Sequence, residues 1–254
     1  MKNIKISGPA EHVRLITLNR PKALNALSKA LLTEIASALE EARYDDTVRC
    51  VVITGNKRAF SSGADIKEMP EDGIPMWAAA DRLKAWKYIE AFSKPLIAAV
   101  NGYALGGGCE LMLLCDIAIG GGNVQLGTPE VKIAAFPGDG GTQRLPRAIG
   151  KVRAMMMVLS GEFINAETAR EWGLIVEVTP IEKTVERAIE IASIISANSP
   201  IAVRMAKEEI LMTYEKPLDE SLSLERKLLL WQTEDHDEGI AAFIEKRSPK
   251  YAGR

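Results

Sequence analysis

Apolar residues are spaced in two different ways along this chain, and the change falls near residue 139. Before it, apolar runs such as Val48–Thr54 and Pro95–Val100 are separated by stretches with helical spacing. After it, helical spacing is almost continuous, and only Ile175–Val178 resembles a strand. The pattern predicts an α/β core of about 200 residues followed by a helical C-terminal region.

The same spacing predicts the individual elements. In the first part we expect strands around Val13 and Leu15 and at Asp116–Gly120, and helices over 31–39 and along the run that contains Trp77 and Ile89. In the second part we expect helices at Gln143–Ile149, Val152–Leu159, Ala166–Trp172, Ile181–Ala197, Ile201–Tyr214 and Leu218–Gln232. Ser28 and Thr233 each precede an opening helical turn, so their hydroxyls are expected to cap the first and last helices.

Composition narrows the class of protein. The chain has 254 residues, a formal net charge of −2 and 47% hydrophobic residues, which are the values of a globular protein with a full core. Lys and Arg form no basic block, which argues against nucleic acid as the main partner. We predict no metal site, because His12 and His236 are far apart and Cys-x-x-Cys is absent.

The cysteines and the apolar stretches predict a cytoplasmic protein with no membrane partner. Cys50, Cys109 and Cys115 lie in apolar runs and are odd in number, as is usual for reduced thiols. The chain begins without the apolar core of a signal peptide. Its longest nearly apolar stretch, 95–115, is interrupted by Asn101, by glycines and by Glu110, so it is not expected to span a bilayer.

A glycine-rich segment, 101–110, follows a predicted strand and opens an apolar helix. The first N–H groups of a helix lack partners and suit an oxyanion or a phosphate, although a tight turn with close packing explains the glycines equally well. The dinucleotide pattern G-x-G-x-x-G is absent. Glu110 precedes Leu-Met-Leu-Leu, where a buried charge is costly unless it is used, although it could simply interact with the helix dipole.

Glu130 stands at a proline-defined turn before a second glycine-rich loop, which contains Asp139. Two carboxylates on separate elements could meet across a pocket as acid and base, whereas Glu130 alone could be a surface turn residue. The loop from Lys57 to Lys67 combines basic and small residues, so it is either an anion-binding loop or a solvated one. A serine hydrolase is excluded because G-x-S-x-G is absent.

Four ordered segments resemble the crotonase (enoyl-CoA hydratase/isomerase) superfamily, and enoyl-CoA hydratases most closely. They are Arg20–Leu27, Ala59–Lys67, Val100–Glu110 and 128–145 with its Pro-Gly-Asp-Gly-Gly-Thr-Gln-Arg-Leu, and the similarity extends to 238–247. The resemblance implies an α/β fold, a spiral of ββα units (1–195) with a C-terminal helical trimerisation region (196–254). It also implies a homotrimer or a homohexamer built as a dimer of trimers.

The resemblance assigns roles to particular residues. The N–H groups of Ala64 and Gly107 would form the oxyanion hole for a thioester carbonyl. Glu110 would activate water for attack on C3 of a trans-2-enoyl-CoA, and Glu130 would protonate C2. CoA would be bound by Lys22, Ala23, Leu24, Arg58, Ser62, Lys67 and, from a neighbouring subunit, Lys246. The CoA thioester would be the substrate, and neither a cofactor nor a metal is implied.

Asp139 departs from the family pattern, since many hydratases have Ala or Gly there. Dienoyl-CoA isomerases of the family use an Asp that aligns with Gly138 and lack the first glutamate, so we expect Asp139 to be a loop or specificity residue. The segment 69–86, with Trp77 and Trp86, is expected to shape the acyl end of the site.

The expected function is enoyl-CoA hydration in fatty-acid or aromatic-acid (phenylacetate-type) degradation. Three alternatives stay open: an enoyl-CoA or dienoyl-CoA double-bond isomerase, a non-catalytic acyl-CoA-binding homologue, and a nucleotide-binding oxidoreductase. The last has the least support, because the dinucleotide pattern is missing.

Overall fold

The computed structural model describes residues 1–68, 80–224 and 227–254. The strands are β1 (Ile4–Ala10), β2 (Val13–Leu18), β3 (Cys50–Thr54), β4 (Ala59–Ser61), β5 (Leu96–Val100), β6 (Tyr103–Leu105), β7 (Ile117–Gly121), β8 (Gln125–Gly127), β9 (Ile164–Asn165) and β10 (Glu177–Thr179). The helices are α1 (Lys29–Tyr44), α2 (Ala80–Glu90), α3 (Gly107–Leu114), α4 (Gly141–Ser160), α5 (Ala166–Glu171), α6 (Thr184–Ser196), α7 (Pro200–Met212), α8 (Leu218–Leu224), α9 (Lys227–Leu230) and α10 (Glu234–Glu245).

The larger sheet has the strand order β1-β2-β3-β5-β7-β10 and is parallel except for the β1–β2 pair. Both faces of β3 are covered, as is usual for a parallel strand. Val51 and Ile53 belong to the same hydrophobic cluster as the buried face of α1. Cys50 and Val52 point the other way and cluster with Ala188 and Ala192 of α6. The predicted α/β class is therefore confirmed.

The smaller sheet has the order β4-β6-β8-β9, in which β4, β6 and β8 are parallel and β9 is antiparallel to β8. Its strands are two or three residues long. The sequence pattern does not predict these strands, and β4 lies inside the segment 57–67 that was predicted to be a loop. Three residues are too few to show an alternating pattern.

Other predicted boundaries need correction. The helices expected at Gln143–Ile149 and Val152–Leu159 are two parts of α4, which is kinked at Gly150 (φ 77°). The strand expected at Ile175–Val178 is β10, which begins two residues later, at Glu177, and ends at Thr179. Ile175 is buried in the core and is not paired in the sheet. Ser28 and Thr233 accept N–H groups of the first turns of α1 and α10, as predicted.

The end of the chain is tied to the core by polar contacts. Lys207 of α7 forms an ion pair with Asp116 (2.8 Å) and donates to the carbonyls of Phe92 and Lys94. Arg49 donates to the carbonyl of Tyr251 at 2.7 Å. The boundary between residues 195 and 196 remains a prediction. In the described ranges, none of the helices has the length and apolar character needed to cross a membrane.

Lys94 closes the C-terminal end of α1, and its loss is expected to destabilise the core. Its side chain is buried, and Nζ donates to the carbonyls of Ala42, Asp45 and Val48 at 2.7–2.8 Å. Lys94→Met would leave all three carbonyls without their donor, so we expect the free energy of unfolding to fall by about 3 kcal/mol. Urea denaturation measures this, with the exposed Lys87→Met as the control. Equal midpoints for the two variants would contradict the assignment.

Candidate active site

The carboxyl ends of β4, β6 and β8 lie at one edge of the smaller sheet, because these strands are parallel neighbours. Ala64 follows β4, Gly107 and Glu110 follow β6, and Glu130 follows β8. Three short strands thus deliver four predicted site residues to the same place. Ligands of parallel sheets commonly bind outside such an edge.

The backbone amides of Ala64 and Gly107 are neighbours. Ala64 forms a parallel bridge with Leu27 whose hydrogen bonds are made by Gly63 and Asp65, so the N–H of Ala64 is directed away from Leu27. Gly107 begins α3, where N–H groups have no carbonyl of an earlier turn. A Cβ placed on Gly107 would lie 3.6 Å from the nitrogen of Ala64, which shows how closely the two segments approach.

The Glu110 carboxylate is buried, and only 1% of the residue is exposed. Its Oε1 accepts the N–H groups of Asp139 (2.8 Å) and Gly141 (2.7 Å). A Cβ on Gly141 would approach Oε1 to 3.0 Å, so the second glycine-rich loop makes room for the carboxylate that it binds. The loop and the start of α3 are therefore joined through Glu110.

Glu130 occupies a 3-10 helix (Pro129–Ile133) directly after β8. Its Oε1 lies against Gly106, where an added Cβ would come within 2.5 Å. Its Oε2 is buried and has no hydrogen-bond partner in the described residues. The alternative of a solvated surface turn residue does not fit, because this carboxylate is turned inward.

Burial raises the pKa of Glu110 to about 7, helped by the charges of Asp139 and Glu130 and opposed by the N–H of Gly141. Burial is also the main cause that raises the pKa of Glu130, with the charge of Asp139 adding to it. Glu110 can therefore exchange a proton near neutral pH, as acid and base catalysts do, and the pKa of Glu130 is displaced in the same direction.

Asp139 is paired with Arg82 of α2, a residue that the sequence analysis did not single out. Nη1 of Arg82 donates to Oδ1 at 2.6 Å, and Nη2 contacts Oδ2. Arg82 is 2% exposed and its guanidinium lies 5.7 Å from the ring centre of Trp86. Oδ2 of Asp139 lies 3.8 Å from the Cβ position of Gly107, so the pair borders the two amides.

Some of the residues predicted to bind CoA come together. Lys22 and Ala23 form the last part of a 3-10 helix (Pro21–Ala23), and Leu24 follows in the left-handed region (φ 48°). The N–H of Ser62 donates to the carbonyl of Leu24 at 3.0 Å. Lys67 is exposed in the 3-10 helix that follows Asp65.

Two of the predicted CoA residues lie apart from these. Arg58 is exposed at the opposite end of β4 from Ser62. Lys246 is exposed at the end of α10. In the described ranges, Lys246 makes no hydrogen bond or ion pair with the other predicted CoA residues.

Asn25, which was not among the predicted site residues, joins the 20–27 segment to β4. Asn25 is fully buried with φ 55°, and its Nδ2 donates to the carbonyl of Ala59 at 3.0 Å. Its backbone carbonyl accepts a hydrogen bond from the hydroxyl of Ser61 at 2.9 Å.

The sequence does contain a signal for Arg82. Ala85, Trp86 and Ile89 lie on the same face of a helix as residue 82, so an arginine occupies a position where an apolar residue is expected.

Of the segment expected to shape the acyl end, residues 69–79, including Trp77, lie outside the described residues, whereas Trp86 is described and is buried. No group of three or more His, Cys, Asp or Glu residues suited to a metal ion occurs in the described part of the chain.

Comparison with known proteins finds relatives over nearly the whole length of the chain. The family model described as enoyl-CoA hydratase/isomerase matches residues 9–254. The 2,3-dehydroadipyl-CoA hydratase of Escherichia coli K12 is 48% identical over 246 residues, covering 96% of each chain. The mitochondrial enoyl-CoA hydratase of Pongo abelii is 46% identical, covering 96% of this chain and 85% of that protein.

The fold also matches that of a solved enoyl-CoA hydratase. The crystal structure of an enoyl-CoA hydratase from Bacillus anthracis superposes with a TM-score of 0.92 at 40% identity, covering 99% of this chain and 100% of the other. The similarity of sequence and fold extends over nearly the whole length, and the chain belongs to the enoyl-CoA hydratase/isomerase family, with its crotonase fold.

Proposed function

We propose that this hydro-lyase adds water across the C2=C3 bond of a trans-2-enoyl-CoA to give a 3-hydroxyacyl-CoA. The observation that carries the proposal is the pair of inward-facing glutamates, Glu110 and Glu130, beside the amides of Ala64 and Gly107. A hydratase needs a general base and a general acid for the two proton transfers, and hydrogen-bond donors for the thioester oxygen. This edge of the sheet supplies residues of each kind.

In the proposed reaction, the amides of Ala64 and Gly107 donate to the thioester carbonyl. The negative charge that develops on this oxygen during attack at C3 is then stabilised by fixed dipoles. Neither contribution depends on a side chain. The position therefore favours small residues, which let the backbone approach the substrate.

Glu110, ionised, takes a proton from the water whose oxygen bonds to C3. Glu130, protonated, gives its proton to C2, so that H and OH are added and the C2=C3 bond becomes single. The reaction leaves Glu110 protonated and Glu130 ionised, and exchange with solvent resets the pair. The same groups in the opposite roles dehydrate the product.

The remaining parts of the proposal concern binding and assembly. The CoA moiety lies along 22–24, Ser62 and Lys67, with Arg58 and a neighbouring subunit's copy of Lys246 contacting its phosphates. The enzyme is a cytoplasmic homotrimer or homohexamer that needs no further cofactor or metal. Its substrates belong to fatty-acid or phenylacetate-type degradation; the E. coli relative is named as a hydratase of 2,3-dehydroadipyl-CoA.

Replacing either glutamate with glutamine is expected to lower turnover with crotonyl-CoA by a factor of 10²–10⁴, because each variant lacks one proton-transfer group. The measurement is the loss of enoyl-thioester absorbance, with the 3-hydroxyacyl product identified by mass. Glu162→Gln, at an exposed glutamate paired with Lys132, serves as the control and is expected to match the wild type. If a broad enoyl-CoA panel gave only shifted alkenes, the protein would be an isomerase; binding without turnover would indicate an acyl-CoA-binding homologue.

The pH dependence follows from the pKa of Glu110. Because Glu110 must be ionised to accept the proton of water and its pKa is about 7, kcat/KM for hydration is expected to fall below that pH. The fall should approach tenfold per pH unit, as for one required ionisation. Rates measured from pH 5 to 9 test this. Constant kcat/KM down to about pH 5 would contradict the proposed role.

Gly107→Ala tests the proposed oxyanion site without removing a side chain. The added Cβ would meet Leu27, Ala64 and Asp139 at 3.4–3.8 Å, which is ordinary contact, so the variant should fold. The methyl group would narrow the gap beside the Ala64 amide and displace the carbonyl oxygen. We expect kcat/KM to fall about 10²-fold or more.

The control for this variant is Gly8→Ala on β1, where an added Cβ would meet only the carbonyl oxygen of Val13, at 3.8 Å. Both variants should unfold near the wild-type temperature. Wild-type kcat/KM for Gly107→Ala would show that the thioester oxygen binds elsewhere.

A further inference from the structure

The Arg82–Asp139 pair places a buried cation beside a site that holds three carboxylates. Arg82 is 2% exposed and binds both oxygens of Asp139. The N–H of Asp139 is one of two that donate to Oε1 of Glu110. One residue therefore connects Arg82 to Glu110, with its carboxylate on one side and its backbone amide on the other.

Helix α2 holds the same loop at a second point. Nη1 of Arg144 donates to the carbonyl of Asp139 at 3.0 Å, and the guanidinium of Arg144 also pairs with Glu90. The backbone of Asp139 is thus fixed through Arg144, whereas its charge is met by Arg82. Losing Arg144 would loosen the loop, and losing Arg82 would leave the charge of Asp139 without a counter-ion.

We propose that Arg82 is a positioning residue for hydration: by neutralising Asp139, it lets Glu110 stay ionised and hydrogen-bonded beside a third carboxylate. This inference rests on the proposed function, since it concerns the general base of that reaction. Asp139 then takes no proton from the substrate and acts through its contacts with Arg82 and Glu110.

The charged groups around Glu110 can be named element by element. Among the described residues they are Asp139 in the loop before α4, Glu130 in the 3-10 helix after β8, Arg82 on α2, and Arg144 on α4 beyond the carbonyl of Asp139. The charge of Asp139 raises the pKa of both glutamates even with Arg82 in place. Without Arg82 this repulsion is no longer offset, and a proton is retained by the carboxyl cluster at higher pH.

The first test is the pH profile of kcat/KM with crotonyl-CoA. Arg82→Met is expected to move the acid limb upward by roughly one pH unit, as for an uncompensated neighbouring carboxylate. Arg82→Lys, which keeps the charge, should restore most of the wild-type profile. Arg144→Met is the matched comparison: it removes a cation from the same loop but leaves Asp139 paired with Arg82, so it should lower the rate and move the acid limb less than Arg82→Met does.

The second test removes the charge that Arg82 is proposed to offset. In Asp139→Asn, adding Arg82→Met should no longer move the acid limb upward, because no carboxylate remains to be neutralised. A shift that persists without the Asp139 carboxylate, or an unchanged profile in Arg82→Met, would overturn the proposal. A purely structural role would change yield or unfolding temperature and leave the profile fixed.

A third measurement needs no turnover. The difference in unfolding temperature between each protein and its Glu110→Gln derivative, followed from pH 5 to 9, reports the ionisation of Glu110 through linkage. Its midpoint should move upward in Arg82→Met. If no enoyl-CoA were hydrated, the proposed function would be wrong, but the midpoint of this pH dependence would still show whether Arg82 affects the ionisation of Glu110. The same midpoint in the wild type and in Arg82→Met would refute that effect.

Discussion

The buried charge of Glu110 is the constraint around which this site is built. A carboxylate at the start of an apolar helix is unfavourable unless donors meet it, and here the N–H groups of Asp139 and Gly141 do so. Compared with a free glutamate, Glu110 is still shifted toward the protonated form, since its pKa is raised to about 7. The folded protein thus holds this proton more tightly than the unfolded chain. The associated stability is lost as pH rises from 4.5 through 7, by on the order of 3 kcal/mol.

That loss is offset by the layers behind the site. The larger sheet is covered by α1 on one face and α6 on the other, and its central strands are fully buried. The smaller sheet joins the same core through Phe60, Leu126 and Ile164, and its three parallel strands place the site residues at one edge. The strands themselves therefore contribute buried apolar residues, and the charged groups of the site stand in the segments that follow them.

The sequence predicted the long elements well because burial imposes a repeating pattern on them. The fully buried strand β3 and the capped helix α1 are examples, with Ser28 at the expected position. The strands β4, β6 and β8 carried no such pattern, so their shared edge became visible only in the structure. The resemblance named Ala64, Gly107, Glu110 and Glu130, and the parallel pairing explains why residues so far apart in sequence meet.

The role of Arg82 could not be predicted from the sequence, although the residue occupies an apolar position of its helix. Its partner, Asp139, lies 57 residues away in the chain. Asp139 was singled out as a departure from the family pattern, but its meaning depends on that partner. An unpaired carboxylate at this position would compete with Glu110 for a proton. Because the carboxylate of Asp139 is paired with Arg82, its charge is compensated, and the backbone N–H of the same residue is held in place to donate to Glu110.

The loop that contains Asp139 has a physical reason for each of its unusual residues. Gly140 adopts φ 108°, and an added Cβ there would collide with the guanidinium of Arg144. Gly141 is limited by Pro137 at 2.8 Å and by Glu110 at 3.0 Å. Between the proline and α4, the chain must turn sharply while pointing two N–H groups at one carboxylate oxygen. Glycines allow this turn. The one charged side chain of the loop, Asp139, is neutralised by Arg82, which belongs to helix α2 and not to the loop.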